Sequence, residues 1–244
     1  MAVFLKANWE HIIMANYEID KSILLPFLPK GVELDLHEGK AFISLVGFMF
    51  KKTRLFNVPI PFFGTFEEIN LRFYVLRKDG NQMKRGVVFI NETIPYKMVA
   101  WMANKLYKEH YTVVPTKHKI RTTATNQKIK FQWLVNKKWN SIYVESDTQS
   151  EAMKKNSLEK FIYEHYYGYT KIDEHKTEEY QLQHPSWNVH KINDYRIHCD
   201  FEAMYGESFS ILNQTKPTAV FIAEGSSVKV NWKRTKLNFN SERS

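Results

Sequence analysis

In the segment Phe66-Glu67-Glu68-Ile69-Asn70-Leu71-Arg72-Phe73-Tyr74-Val75, a carboxylate, an amide, a guanidinium and a phenol recur at every second position. Side chains alternate across a β-strand, so Glu68, Asn70, Arg72 and Tyr74 share one face, and Ile69, Leu71, Phe73 and Val75 share the other. The apolar row is the packed side. The polar row has two readings. On a solvated face, Glu68 and Arg72 form a surface ion pair worth ~0–1 kcal/mol. On a cavity wall, the same groups are placed for the polar atoms of a ligand, with the arginine fork suited to a carboxylate or another oxyanion. The alternation by itself leans to the solvated face.

The next apolar run shifts the balance a little toward the cavity. Val87, Phe89 and Asn91 alternate with Val88, Ile90 and Glu92, and both rows begin apolar, so this strand is covered on both sides. It ends in Asn91 and Glu92 at the start of a helix. A buried carboxylate at Glu68 or Glu92 needs a partner, with Arg72, Arg85 and Lys97 as candidates, because an unpaired one costs several kcal/mol or takes up a proton.

Other chemistries have little to stand on. The nine histidines include His184, His190 and His198 close to His175, but no HExxH spacing and no converging ligand set, so no metal is expected. There is no glycine-rich phosphate loop and no GxSxG elbow, and no cofactor is expected. The single cysteine, Cys199, lies mid-strand and reads as a packed thiol.

These candidates must be held by a framework, and the chain suggests one. It has 244 residues, 43% hydrophobic and 15% aromatic, enough for one sizeable core and tilted toward β structure. A lone thiol, no leader-like N-terminus and no spanning apolar run point to a cytoplasmic protein without a membrane segment. The net charge of +9 is scattered in pairs such as Lys51-Lys52 and Lys137-Lys138, without a basic helix, so nucleic acid is not the expected partner.

Strands are expected over 8–17, 32–36, 40–50, 67–77, 85–93, 120–124, 128–135, 141–145, 177–182 and 188–199. A closing hairpin of 219–223 and 227–232 turns at Glu224-Gly225-Ser226. Asp20 caps a short helix over 21–28, Pro95 opens another over 96–107, and a third starts at Ser157 and ends at Gly168. The stretch 56–63 (FNVPIPFF) carries prolines that cannot donate to a ladder, so it is a loop or strand edge. Its apolar side chains need cover from the core, a pocket or a second copy, and a homodimer is one expectation. The whole reads as a single α+β domain, mainly antiparallel β, with a core over 8–232 and a polar tail over 237–244.

Several motifs together resemble a known family. They are Met14-Ala15-Asn16-Tyr17-Glu18-Ile19-Asp20 with Leu28-Pro29-Lys30-Gly31, Ala41 to Phe48, the 66–75 segment and Arg85 to Ile90. His184-Pro185-Ser186-Trp187 and Ala223-Glu224-Gly225-Ser226 complete the set. In order and spacing they resemble the YqjF-like proteins, a bacterial domain family of unknown function grouped with acetoacetate-decarboxylase-like folds. The resemblance implies a cone-shaped antiparallel β-barrel around a pocket, with extra sheet and a few short helices, and moves the polar row of 66–75 toward the cavity. It also implies a comparison with the decarboxylase's Schiff-base lysine pair. The matching stretch here is Glu92-Thr93-Ile94-Pro95-Tyr96-Lys97, in which Tyr96 stands at the first lysine and only Lys97 remains. Glu68 lies where the decarboxylase carries an acid near its substrate.

Three functions follow as expectations. In the first, the chain binds a small organic acid or ketone-like ligand through Asn70, Arg72, Tyr74, Glu92 and Tyr96, walled by aromatics such as Phe48 and Phe89. In the second, it is a lyase or hydrolase acting on an oxo-acid, with Lys97 or Glu68 as the catalytic group. In the third, it is an interaction protein using its basic surface.

Overall fold

The computed structural model describes residues 3–60, 64–97 and 111–239. Within them one sheet of fifteen strands carries almost all of the structure. In chain order the strands are β1 (Val3–Ile19), β2 (Glu33–Leu34), β3 (Ala41–Leu55), β4 (Val58–Pro59) and β5 (Phe66–Asp79). β6 (Gln82–Ile94), β7 (Tyr111–Val113), β8 (Thr116–Thr122), β9 (Asn126–Val135) and β10 (Lys138–Ala152) follow. The last five are β11 (Tyr167–Asp173), β12 (Lys176–Gln183), β13 (Asn188–His198), β14 (Ala219–Asn231) and β15 (Thr235–Asn238). The described helices are short: α1 (Lys21–Leu24), α2 (Leu158–Tyr163) and α3 (Phe201–Tyr205). Pairing is antiparallel except where β6 meets β7 and β11. The fold is thus mainly antiparallel β with few short helices, as the sequence predicts.

Seven strands form a closed circuit in the order β12-β11-β6-β5-β3-β1-β14, completed by pairing of β12 with β14. The joins differ in length. β1 and β3 run together from Leu5 to Ile19, whereas β6 meets β11 only through Gly86 and Val87, and β12 meets β14 only through Leu182 and Gln183. Side chains add to the hold on β12. Buried Glu179 accepts hydrogen bonds from Arg77 Nη1 at 2.9 Å, Lys84 Nζ at 2.8 Å and Tyr169 Oη at 3.1 Å.

The two faces of the circuit are buried differently. Ile69, Leu71, Phe73 and Val75 on β5 point outward into a core shared with Phe131 and Trp133 of β9 and Ile142 and Val144 of β10. The β13-β10-β9 extension therefore folds back over the outside of β1, β3 and β5. The inner face holds a second cluster with Met14, Phe48, Phe66, Tyr163 and Trp187.

Three local expectations change. The helix from Ser157 ends at Tyr163 rather than Gly168. Gly168 lies in β11, where the Tyr180 ring occupies the space a side chain would need: a Cβ there would stand 2.1 Å from Tyr180 Cζ. The run from Tyr166 to Thr170, rich in aromatic and β-branched residues, favours a strand over a helix.

The expected hairpin at Glu224-Gly225-Ser226 is instead a kink within one continuous strand, β14, paired to β1 along its length. Gly225 has φ +82°, and a Cβ there would sit 2.0 Å from the Trp9 carbonyl oxygen. The glycine serves close approach of two backbones, not chain reversal. The strand expected over 32–36 is reduced to Glu33–Leu34 on β5, and most of the helix expected over 96–107 lies outside the described residues. Pro59, by contrast, sits on an edge strand, where a missing N–H costs nothing.

Candidate functional site

The inner face of the circuit lines a cavity of about 140 Å³ whose walls include Glu68, Asn70 and Arg72. β5 is long, central and paired on both sides, so its side chains alternate strictly and this polar row is fixed inward. Glu68, Asn70 and Arg72 are 3%, 2% and 9% exposed, which removes the solvated-face reading. Two neighbouring strands reach the same cavity only by breaking their alternation. In β6, Asn70 pairs with Glu92 but Arg72 pairs with Phe89, so a bulge lets both Glu92 and Phe89 line the site. In β1, His11 adopts φ +56° at a register shift, which brings Met14, Ile12 and then Trp9 to the cavity. The Ile12 carbonyl beside this bulge accepts from Tyr163 Oη at 3.0 Å, which docks the end of α2 on the site.

The polar groups are graded along β5. At one end Glu68 Oε1 accepts from Asn70 Nδ2 at 3.0 Å, and Glu92 Oε1 accepts from Tyr111 Oη at 2.8 Å. At the other end stands Arg72. Its Nη2 lies 3.6 Å from Met14 Sδ, its guanidinium carbon lies 5.8 Å from the Tyr74 ring centroid, and its Nε has no protein partner. Among the described residues no carboxylate comes within ion-pair distance of this guanidinium.

Tyr74, the fourth member of the row, does not line the cavity. Ser44 Oγ donates to Asn16 Oδ1 at 2.6 Å, so Tyr74 Oη is the donor in its 2.6 Å contact with Ser44 Oγ. Burial pushes the phenol's pKa up, and the group stays neutral behind Arg72.

Two of the other predicted site residues lie elsewhere. Tyr96 is half-buried, with its ring edge against Phe66 at 5.8 Å. Lys97 is exposed and is not part of the lining. No lysine lines the cavity among the described residues, so none of these offers an amine there for Schiff-base chemistry.

Two histidines complete the lining. The His184 ring stacks on Trp187 at 3.9 Å and its Nδ1 lies 2.8 Å from the Pro185 carbonyl oxygen. Burial, with a smaller contribution from the Arg72 charge, lowers its pKa. His165, which the sequence did not single out, is fully buried at its side chain. Its Nε2 is 3.1 Å from Asp35 Oδ2, and the same oxygen accepts from Arg85 Nε at 2.6 Å. Burial lowers the His165 pKa to about 4 despite the Asp35 carboxylate, which acts in the opposite direction. Burial would raise the Asp35 pKa, but the bonds and charges of His165 and Arg85 outweigh it and keep the carboxyl below its usual value. Asp35 is therefore the ionised acceptor and His165 the neutral donor through Nε2, which leaves Nδ1 with a bare lone pair and no partner. Nothing in the spacing of His165 could have marked it, since its partner lies 130 residues away in sequence.

Among the described residues no group of three or more His, Cys, Asp or Glu side chains is placed to hold a metal ion. Most of the remaining lining is aromatic and aliphatic, with Trp9, Phe48, Phe50, Phe66, Phe89 and Trp187 around it, and it also includes Thr53 and Arg234, the latter paired with Glu178 at 3.1 Å. The site is thus a small, mostly apolar chamber with acids at one end and an arginine with two neutral imidazoles at the other. No described helix is long and apolar enough to cross a membrane.

A closed circuit of mainly antiparallel strands around such a chamber has clear structural relatives. An acetoacetate decarboxylase-like enzyme from Sphingomonas wittichii RW1 superposes with a TM-score of 0.64 at 10% identity, covering 98% of this chain and 95% of that one. The enduracididine biosynthesis enzyme MppR complexed with pyruvate gives 0.65 at 11% identity, over 99% and 93%. Acetoacetate decarboxylase from Legionella pneumophila gives 0.62 at 11% identity, over 98% and 86%. At these identities the likeness establishes the acetoacetate-decarboxylase-like fold alone. The chain belongs to DUF2071, described as an uncharacterized conserved protein family, which matches residues 6–227. It is also 31% identical over 108 residues to the uncharacterized protein YqjF of Bacillus subtilis (strain 168), a match spanning 44% of this chain and 43% of that protein. The aligned part is thus less than half the length of that curated relative.

Proposed function

We propose that the chain binds a small organic acid inside the ring of strands, with the ligand carboxylate on Arg72 and its apolar part against the aromatic wall. The observation that carries this reading is a guanidinium buried to 9% exposure on a cavity wall, without a carboxylate partner among the described residues. A buried charge is costly unless paired, so a site that retains one is complementary to an incoming anion. Two oxygens of a carboxylate match the arginine fork. The volume, about 140 Å³, lies below the ~300–1,000 Å³ of pockets that take drug-sized molecules. A fold relative recorded with pyruvate, itself a small acid, agrees with this size and charge.

An oxo-acid lyase or hydrolase with Lys97 as base draws no support from an exposed Lys97. Glu68, on the wall, would act in such a reaction only on a ligand already seated at Arg72.

The test is titration with hexanoate and its neutral isostere hexanamide, followed by protein NMR. Hexanoate should shift resonances around Arg72 and Phe89, hexanamide should bind more weakly, and Arg72→Gln should abolish the difference. Equal binding of the two probes to the unaltered protein would remove the anion-site reading.

A further inference from the structure

Among the described titratable groups that line the cavity, His165 is fully buried and plays no part in the carboxylate site. It closes one side of the cavity, on the chain leaving α2, and its side chain is 0% exposed. Asp35, outside the lining, holds Nε2 and is itself held by Arg85 and by its backbone N–H, which donates to the Tyr74 carbonyl at 3.0 Å. The ring is packed between Tyr74, at 4.8 Å, and Phe161, at 5.2 Å, so it has little freedom to turn. A chain of three side chains therefore fixes one tautomer and leaves one nitrogen, Nδ1, without a partner.

A buried acceptor without a donor is costly and calls for an explanation, and His165 is one of the residues that line the cavity. The two phenols nearby are engaged elsewhere. Tyr74 Oη is engaged with Ser44, and Tyr163 Oη is engaged with the Ile12 carbonyl. Arg72 and His165 line the same cavity and lie against the same Tyr74 ring, at 5.8 Å and 4.8 Å from its centroid.

We infer that His165 Nδ1 accepts a hydrogen bond from a hydroxyl of the bound molecule, so that the ligand class is a hydroxy acid rather than a simple carboxylic or oxo-acid. This rests on the carboxylate reading of Arg72 and adds a second anchor to it. Asp35 and Arg85 act as positioning residues: they touch no ligand, but they keep the proton on Nε2. A simple acid fills the same volume and leaves Nδ1 unpaired. A 2-oxo acid presents only another acceptor to it. Rejection of a ligand that leaves a buried polar group unpaired is the stronger form of selectivity open to such a site.

The probes are hexanoate, 2-hydroxyhexanoate, 3-hydroxyhexanoate and 2-oxohexanoate, titrated by calorimetry into the wild-type protein and into His165→Leu, with thermal unfolding confirming that the variant is folded. At least one hydroxyhexanoate should bind the wild type about fivefold more tightly than hexanoate, as one added hydrogen bond provides. That preference should vanish in His165→Leu while hexanoate binding persists. The ¹⁵N spectrum of the unaltered protein supplies a second readout: a neutral imidazole protonated on Nε2, whose bare Nδ1 signal moves only with the hydroxy acid. Asp35→Asn should mix the tautomers and reduce the preference. Hexanoate binding without any hydroxyl preference, or a preference that survives His165→Leu, overturns the inference and leaves the carboxylate site standing. Absence of binding by all four probes overturns both.

Discussion

The Trp187 indole nitrogen donates to Ser226 Oγ at 2.8 Å, joining two motifs that stand thirty-nine residues apart in sequence. Trp187 carries His184 stacked on its ring, and Ser226 follows the kink of β14 at Gly225. One hydrogen bond thus connects a cavity-lining imidazole to the strand that runs the length of β1. Ser226→Ala leaves a buried indole N–H without its acceptor, at a cost of about 1–2 kcal/mol. Thermal unfolding should fall by a few degrees. The double variant with Trp187→Phe should cost less than the sum of the two singles, and full additivity would mean that the bond contributes nothing.

Gly225 and Gly80 separate backbone strain from collision. Both have positive φ, +82° and +60°, but a Cβ at Gly80 meets open space while one at Gly225 meets the Trp9 carbonyl. Gly80→Ala should cost about 1–2 kcal/mol, the ordinary penalty for an L-residue in the left-handed region. Gly225→Ala should cost at least twice as much in urea denaturation. Equal costs would show that β1 and β14 can separate freely at this point.

Acid should weaken the fold through His165. Its folded pKa of about 4 lies below its unfolded value near 6.5, so between those values the unfolded chain binds the extra proton and stability falls as the pH drops. The full span amounts to roughly 3 kcal/mol. Asp35, also depressed, adds a loss only below its unfolded value near 3.8. His11 and His184, both lowered by burial, push in the same direction as His165. The His165→Leu variant should therefore show a shallower slope of unfolding free energy between pH 6.5 and pH 4 than the wild type. A slope unchanged by the substitution would mean that His165 takes up its proton without hindrance.

Arg72 is expected to trade stability for binding. Replacing a buried charge without a counter-ion by a residue of similar reach removes a desolvation cost, so Arg72→Leu should raise the stability of the ligand-free protein by about 1–2 kcal/mol. Its Met14 and Tyr74 contacts offset part of that gain. A loss of stability on substitution would place the residue among the structural contributors.

The sequence revealed one side of the site and hid the other for physical reasons. Glu68, Asn70 and Arg72 were legible because β5 keeps a strict two-residue period. Glu92 and Phe89 share the lining only through a bulge, and Trp9 only through the left-handed His11, events that an alternation cannot announce. His165 and Asp35 owe their role to a contact between distant segments and to burial. The kink at Gly225 carries the same residue types as a reversing turn, and only the partner strand β1 decides between them. The exposure of Lys97 likewise depends on how the chain leaves β6.

The unequal joins of the strand circuit make its wall uneven. β11 and β12 pair with each other from Tyr167 to Gln181 but join the rest of the ring, at β6 and β14, by only two residue pairs each, with β15 added on the far edge of β12. Further ties of this panel include the ion pairs of Glu179 with Arg77 of β5 and Lys84 of β6, the Arg234–Glu178 pair, and the Thr177 hydroxyl, which donates to the Lys30 carbonyl at 2.8 Å. Tyr167, Tyr180 and Leu182 sit on it and face the chamber. The β11–β12 panel thus meets the ring through shorter ladders than β1 and β3 share. Its amides should exchange with solvent before those of β1 and β3, and Glu179→Gln should hasten that exchange without altering theirs.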